Sequence, residues 1–538
     1  FRMSFFALIF ALILSSFQTL SAQNRKLEGT VFDEQGEPVI GATIRDLSSK
    51  RTTTTNIDGK FTLQIPENAT INVTYIGCVP QNITVNSKTT FLKITLKPKV
   101  QELEETVVTA LGIRRDAKSL TYGRQTVKMD DEMTQTRDAN LLNMLQGKVS
   151  GVQIISGGGP GSSTRVVIRG NNSITGNNQP LYVIDGIPMY NVSNGGDTEF
   201  GSRGATEAIA DLNPEDIESM SVLTGASAAA LYGSSAANGA IMITTKKGQA
   251  GTFSASYSNH TDFLKPFVMP EFQNRYGTGS YGKPSGSPVY SWGEKLTDAA
   301  RTGYTPDDFF ETGYVTTNSV TLSGGTEKNQ MFFSAASVNS EGIVPNNLYD
   351  RYNFTFRNTS HFLKDRLRVD VGANYVVQKD QNMTNQGVYS NPLVSAYLFP
   401  RGDSFEAAKI FERWDPARKI AVQYWPQGEG GDLRMQNPYW IAYRNPRENS
   451  RKRYMFTGGI TYKITDWMNV AGRIRIDNTN SLYTEKLYAT SNPTLLENSK
   501  KGKYTETRGE ERQTYGDVML NLSKTFKEKF SLDAHIGA

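Results

Sequence analysis

The chain is poor in the residues that build redox and metal centres. It has one cysteine, Cys78, and three histidines, His260, His361 and His535, in 538 residues. A lone thiol forms no intrachain disulfide and histidines so far apart match no zinc-ligand spacing, so neither a metal site nor a cofactor is expected. Charge of one sign is scarce as well: 58 Lys and Arg against 53 Asp and Glu leave +5. Over this length that is too little to hold a polyanion, and nucleic acid is not an expected partner. Long apolar runs are the third shortage. Arg2 precedes one from Phe5 to Leu14, followed by small and polar residues up to Ala22. It is too short to cross about 30 Å of hydrocarbon, and residues 1–22 read as an export signal peptide. No later stretch reaches the roughly 18 apolar residues of a membrane helix, which leaves a soluble exported protein or a transmembrane β-barrel.

What is abundant is glycine, 48 residues, and tyrosine, 25, favouring turns and amphipathic ring positions. From Leu27 to Leu96, short alternating runs separated by turn signals predict about seven strands in a β-sandwich spanning 23–98. Phe61, Leu63 and Ile65 alternate with Thr62 and Gln64, giving a strand with one buried face, and Asp58-Gly59 supplies a tight turn. Cys78 is expected in the small core.

Residues 99–118 form a linker in which Thr106-Val107-Val108-Thr109-Ala110 follow Glu102, Glu104 and Glu105. A short β-prone segment with charged flanks can add a strand to another protein's sheet; an ordinary linker with one stray strand is the plainer alternative. Residues 119–249 mix helix and strand. Thr136 to Leu145 is expected to be helical, with Leu141, Leu142 and Leu145 on one side. Val152 to Ile155 and Arg165 to Gly170 are expected strands joined by the glycine-rich turn Gly157 to Thr164, which lacks the lysine of a phosphate loop. Leu181 to Ile184 is a strand stopped by Asp185-Gly186 and redirected at Pro188. Asn213 caps a short helix that Pro214 opens. Ser227 to Leu231 is a helical turn, followed by the strand Ala240 to Thr245. Ser227 lacks the second glycine of a hydrolase elbow, and nothing places Asp185 and Glu218 at the spacing of a glycosidase pair, so no enzyme is expected.

Several of these segments together, Asn143 to Gly151, Arg165 to Gly170, Pro180 to Pro188 and above all LNPEDIESMSVLTGASAAALYGSSAANGAIMITTKKG from Leu212 to Gly248, resemble the plug of the SusC/RagA family of TonB-dependent outer-membrane transporters. Thr224-Gly225 and Ser235 depart from that family's frequent Lys-Asp and Arg. The sandwich is similar to a carboxypeptidase-regulatory-like domain, with Cys78 where an aromatic is usual. The resemblance implies that Glu105, Thr106, Val107, Val108, Thr109 and Ala110 are the TonB box. It further implies that Arg169, Gly170, Asp185, Gly186, Asn213, Pro214, Tyr232, Gly233, Asn238 and Gly239 are plug-motif positions.

Residues 250–538 read as barrel wall. Leu367, Val369, Val371, Ala373, Tyr375 and Val377 share one parity, while Arg366, Arg368, Asp370 and Asn374 take the other. Tyr352, Phe354 and Phe356 alternate in the same way with Asn353, Thr355 and Arg357. Lipid on one face and lumen on the other produce this pattern, although a soluble sandwich also shows it. About nine strands are expected, at 251–260, 314–324, 329–340, 350–360, 365–378, 451–464, 468–479, 511–524 and 529–538. A plugged barrel needs about 22, an even number. The fold class is therefore an all-β transmembrane barrel, present in part, with an internal α+β plug and an N-terminal sandwich, and the chain is expected to be the N-terminal part of a larger protein. Insertions at 261–313 and 379–450 suit extracellular loops. Their Tyr276, Tyr281, Trp292, Trp425, Tyr439 and Trp440 could stack on substrate or simply pack the loops together.

The resemblance implies active import of oligosaccharides or oligopeptides across the outer membrane. The energy would come from TonB with ExbB and ExbD, a SusD-like surface lipoprotein would be the capture partner, and a dimer of such pairs is allowed. The sandwich and TonB box would lie in the periplasm. The alternatives are a TonB-dependent siderophore or cobalamin receptor, or a surface adhesion or signalling protein.

Overall fold

The computed structural model describes residues 25–96, 140–189, 207–283, 290–297, 306–425 and 435–538, apart from isolated positions within them, and the short strands 106–108, 114–116 and 124–129. The expected signal peptide, residues 1–22, lies outside the described residues. The chain divides into two compact units, Phe1–Val107 with Asp116–Ser119, and Val108–Arg115 with Leu120–Ala538.

In the first unit, a three-stranded and a four-stranded sheet supply the seven expected strands. Lys60–Ile65 buries Phe61, Leu63 and Ile65 and exposes the residues between them, so a strand with period-2 chemistry closes one side of a core. Gly59, at φ 70°, turns the chain before that strand. Cys78 packs half-buried against the core formed by Leu27, Ile44, Ile71 and their neighbours.

The second unit joins the plug to the wall. The plug's main sheet runs in the order Arg124–Lys128, Ile217–Leu223, Ala240–Thr245, Leu181–Ile184, Ile187–Met189, and Val152–Ser156 pairs with Thr164–Ile168 as a separate hairpin. Two expectations need correction here. The described part of the expected helix at 136–145 is a turn and the short 3-10 segment Asn143–Leu145. Asn140 accepts from the Leu142 N–H at 3.1 Å and donates to Thr164 at 2.9 Å, local bonds that compete with helix formation. Leu141, Leu142 and Leu145 are buried all the same. Pro188 does not redirect the chain: it lies opposite Val183 within the Ile187–Met189 strand, at the sheet edge where a missing N–H is harmless. The reversal belongs to Asp185 and Gly186, at φ 50° and 84°, the two left-handed residues of a tight hairpin.

The wall is one antiparallel sheet of nine strands in strict sequence order, from Ser254–Leu264 to Phe530–Gly537. The connections 326–328, 363–366 and 466–467 are short and fall at one end, whereas 265–312, 382–446 and 488–502 fall at the other. Strands lengthen along the chain, from 11 residues at Ser254–Leu264 through 19 at Arg447–Thr465 to 24 at Lys503–Phe526. The first and last strands each have a single neighbour.

One face of this sheet reverses the arrangement of a water-soluble protein. Phe354, Phe456, Ile460, Ile474 and Val518 are 46–57% exposed, while Arg351, Asn353, Arg453 and Arg475, on the opposite parity, are buried. Exposed Phe253, Phe362, Tyr462, Trp467, Phe526 and Phe530 gather at the short-turn end, as an interfacial aromatic girdle does. No helix among the described residues is long and apolar enough to cross a membrane.

Candidate functional site

The chemistry of this chain is concentrated where the plug meets the inward face of the wall. Asp185 is placed by its hairpin turn. It accepts from the Thr245 N–H at 3.0 Å and the Thr245 hydroxyl at 2.8 Å, tying two plug strands together, and from Arg357 of the wall at 2.7 Å. Burial alone would raise its pKa, but the charges of Arg357 and Lys247 and the Thr245 N–H outweigh that and hold it below the usual carboxylate value.

The second contact is the stretch around Asn213-Pro214. Asn213 Oδ1 accepts from the Glu215 N–H at 3.3 Å, and its amide donates to Asp216 at 3.1 Å. Pro214 occupies the first position of the short helix, as expected. This fixes two buried carboxylates. Thr355 of the wall donates to Asp216 at 2.7 Å. Burial nevertheless pushes Asp216 above its ordinary pKa, only partly opposed by hydrogen bonds from Ser334 and Thr355. Asp211, fully buried, receives Arg453 at 2.9 Å and also Arg451. Arg453 in turn forks onto Asp477 at 2.9 and 2.7 Å. Arg351 and Asn353 donate to the carbonyls of Ala210 and Asp211, and Arg475 and Gln513 to that of Pro188. Arginines on three of the wall strands, Leu348–Phe362, Arg447–Thr465 and Met468–Leu487, thus meet plug carboxylates and carbonyls through charge-assisted bonds in a water-poor setting.

The other plug-motif positions are structural hinges of the same domain. Arg169 and Gly170 are both left-handed, at φ 57° and 92°, which ends the Thr164–Ile168 strand before them. Tyr232 and Gly233 close the Gly225–Tyr232 helix. Asn238 donates to the Asn177 carbonyl at 2.7 Å. A Cβ on Gly239 would stand 2.8 Å from the Leu223 carbonyl oxygen, so glycine is required there. Of the linker motif, Thr106–Val108 is a short strand; Glu105, Thr109 and Ala110 lie outside the described residues.

The six loop aromatics separate into two groups. Trp425, Tyr439 and Trp440 are buried. Tyr439 and Trp425 pack edge-on to Phe309 and Phe399 at 5.5 and 5.7 Å, and Trp440 donates its indole N–H to Ser491 at 2.9 Å. Asn437 organises this core by capping the Pro438–Arg444 helix and donating to the Ala408 and Tyr424 carbonyls. Tyr276, Tyr281 and Trp292, by contrast, are 40, 98 and 62% exposed. Sequence reasoning did not single out Asp211, Asp216 or the inward arginines as contacts. The signal was present in the arginine parity, but the partners lie more than a hundred residues away. Among the described residues no cluster could hold a metal ion.

A model of the TonB-dependent receptor plug domain matches residues 116–240, and one of the CarboxypepD_reg-like domain matches 27–108. The chain is 32% identical to the TonB-dependent receptor SusC of Bacteroides thetaiotaomicron over 447 residues, 82% of this chain and 42% of the relative. To the TonB-dependent receptor P39 of Formosa agariphila it is 28% identical, over 70% of this chain and 34% of that one. It therefore spans less than half the length of these curated relatives. The RagAB peptide importer in its open-open state superposes with a TM-score of 0.58 at 18% identity, covering 80% of this chain and 48% of that one. This is a large β-sheet, barrel-type outer-membrane transporter fold with a plug. With its plug bound to the inward face of such a wall and a regulatory-like sandwich in the same chain, the protein is similar to the SusC/RagA-type TonB-dependent transporters over the part of their length that it spans.

Proposed function

We propose that the protein imports oligosaccharides or oligopeptides across the outer membrane at the expense of TonB-coupled energy. The observation that carries the reading is the inverted wall: an apolar outer face suited to lipid, and an inner face that binds a plug through arginines on Asp185 and Asp211 and through Thr355 on Asp216. Completed to about 22 strands, such a sheet closes and satisfies its edges in lipid. Substrate enters between the loops and the plug, and Tyr276, Tyr281 and Trp292, exposed in the long 265–312 connection, offer ring faces to it. A SusD-like surface lipoprotein delivers it, and paired transporter–lipoprotein units are the expected assembly.

TonB, driven by ExbB and ExbD, takes Glu105–Ala110 as an added strand on the periplasmic side; the extended backbone at Thr106–Val108 supports that mode. Force applied there rearranges the plug and opens a path. Deleting Glu105–Ala110 tests the scheme: surface binding of substrate persists and uptake of labelled substrate falls to background, whereas uptake at the unmodified rate overturns it.

A further inference from the structure

The glycine-rich turn at 157–163 is not a phosphate loop, but it is a built structure. It tips the hairpin of Val152–Ser156 and Thr164–Ile168, which shares no ladder with the plug's main sheet. Ser162 ties the tip to itself: its hydroxyl donates to the Gly159 carbonyl at 2.5 Å and accepts from the Gly159 N–H at 3.1 Å. Across the base of the turn, the Gly157 N–H donates to the Ser163 carbonyl at 3.1 Å. A tip bonded to itself in this way moves as one piece. Gly161, at φ 74°, lies directly against the ring of Tyr349 in the wall, since a Cβ there would stand 2.7 Å from Tyr349 Cγ. No residue with a side chain fits at 161 while that ring is in place.

Tyr349 ends a track. Along Leu348–Phe362 every inward residue from 349 to 357 touches the plug: Tyr349 meets Gly161, Arg351 the Ala210 carbonyl, Asn353 the Asp211 carbonyl, Thr355 the Asp216 carboxylate and Arg357 that of Asp185. The four contacts nearer the short-turn end are hydrogen bonds, two of them to plug carboxylates. The one at the long-loop end is a ring packed on backbone, which is non-directional and parts without stranding a charge. Tyr349 is 1% exposed and shares an apolar cluster with Val315, Val338 and Met383. Met383 lies at the start of the folded connection 382–446, where Asn347 donates to the Asn382 carbonyl at 2.9 Å. The ring thus joins the plug tip to a cluster at the root of that loop. We propose that Tyr349 is the positioning residue of a latch: it seats the 157–163 tip at the long-loop end of the wall, keeps the idle plug closed there, and must release the tip before the lumen opens. The latch rests on the import reading and deepens it by naming where the plug gives way.

The test is single-channel recording of the full-length transporter in planar lipid bilayers, with potassium chloride as the probe. The wild type is expected to stay shut, and Tyr349→Ala to show an open fraction at least about tenfold higher; tenfold corresponds to about 1.4 kcal/mol, less than a buried ring is worth. Tyr349→Phe keeps the ring and is expected to stay shut. Gly161→Cys with Tyr349→Cys, in a Cys78→Ser background, makes the latch reversible, because a Cβ at 161 close to Tyr349 Cγ puts the two sulfurs within disulfide reach. Reduced, this pair lacks the ring and is expected to leak like Tyr349→Ala; oxidised, the same molecules are expected to shut, and reductant to reopen them. A merely structural role would not follow the redox state of one pair, and where Tyr349→Ala fails to fold, judged by gel mobility before and after heating, the pair decides alone. Pulling on Glu105–Ala110 with a TonB-coated tip is expected to open the wild type and to leave the oxidised pair shut at the same force. A shut Tyr349→Ala that folds, cysteines that do not cross-link, an oxidised pair as leaky as the reduced one, or an oxidised pair that opens at the wild-type force would overturn the proposal. Closure that depends on Tyr349 in a wild type that TonB cannot pull open sinks the import reading and leaves the seal standing. Opening by TonB that ignores the oxidised pair does the reverse.

Discussion

The sandwich and the nine-stranded wall are both made of alternating strands, and they use the alternation in opposite senses. Lys60–Ile65 turns Phe61, Leu63 and Ile65 inward and its polar residues outward. Leu348–Phe362 turns Phe354 and Phe356 outward and buries Arg351, Asn353 and Thr355. The same period therefore specifies a face without saying what that face meets. Only the partner decides: water around the sandwich, hydrocarbon around the wall, and a polar plug within it.

Breaking the buried ionic contact gives the largest effect. Asp211→Ala leaves Arg451 and Arg453 facing each other without a carboxylate from the plug, and a loss of about 3–5 kcal/mol is expected. The check is a lower midpoint in the heat-induced gel shift of the detergent-purified protein; an unchanged midpoint would show that the plug is held elsewhere. Next comes the sandwich core, where Leu63→Ala removes a buried side chain and costs about 2–5 kcal/mol, read by urea unfolding of residues 23–98. The comparison sharpens most in a matched pair of outward substitutions. Phe354→Arg places a charge on the lipid face and costs about 2–4 kcal/mol if that site lies near the bilayer midplane, whereas Thr62→Arg on the sandwich stays within about 0.5 kcal/mol. Equal tolerance at both sites, measured by unfolding in lipid vesicles and in buffer respectively, would argue that no lipid faces the wall.

The smallest effect concerns the folded loop. Glu412 is held below its ordinary pKa by two hydrogen bonds from Arg444, at 2.6 and 2.7 Å, against the opposing effect of burial. A depressed carboxyl stabilises the fold above its unfolded value, about 4.3, and that contribution disappears as pH falls through the lower folded value. Hydrogen exchange across 410–424, corrected for intrinsic rates, is expected to be flat near neutrality and to accelerate only below about pH 4. Glu412→Gln is expected to remove that dependence.

The sequence made the sandwich strands, the plug segments and the order of the nine wall strands readable, because apolar period and turn residues are local signals. It underestimated the wall's outer ends. The strand expected at 511–524 runs from Lys503 to Phe526, since Glu506, Arg508 and Glu510 alternate by exposure while carrying charge instead of apolar bulk. Buried partners were hidden for a different reason. Arg453 and Asp211 are 242 residues apart, and no local pattern couples them. Loop aromatics have no period at all, so nothing in the chain separated Trp440, sealed in the loop core, from Tyr281, open to solvent.

The uneven strand lengths carry one further consequence. At about 3.3 Å per residue, a strand of 24 residues reaches about 80 Å, more than twice the roughly 35 Å that an apolar band of about 25 Å requires at a tilt of about 45°. The three long strands, Arg447–Thr465, Met468–Leu487 and Lys503–Phe526, must therefore rise clear of the bilayer as a hydrogen-bonded parapet. Under the proposed import function, cargo would first be enclosed by that rigid masonry, so trimming the loops above it should alter which molecules enter more than how large they can be.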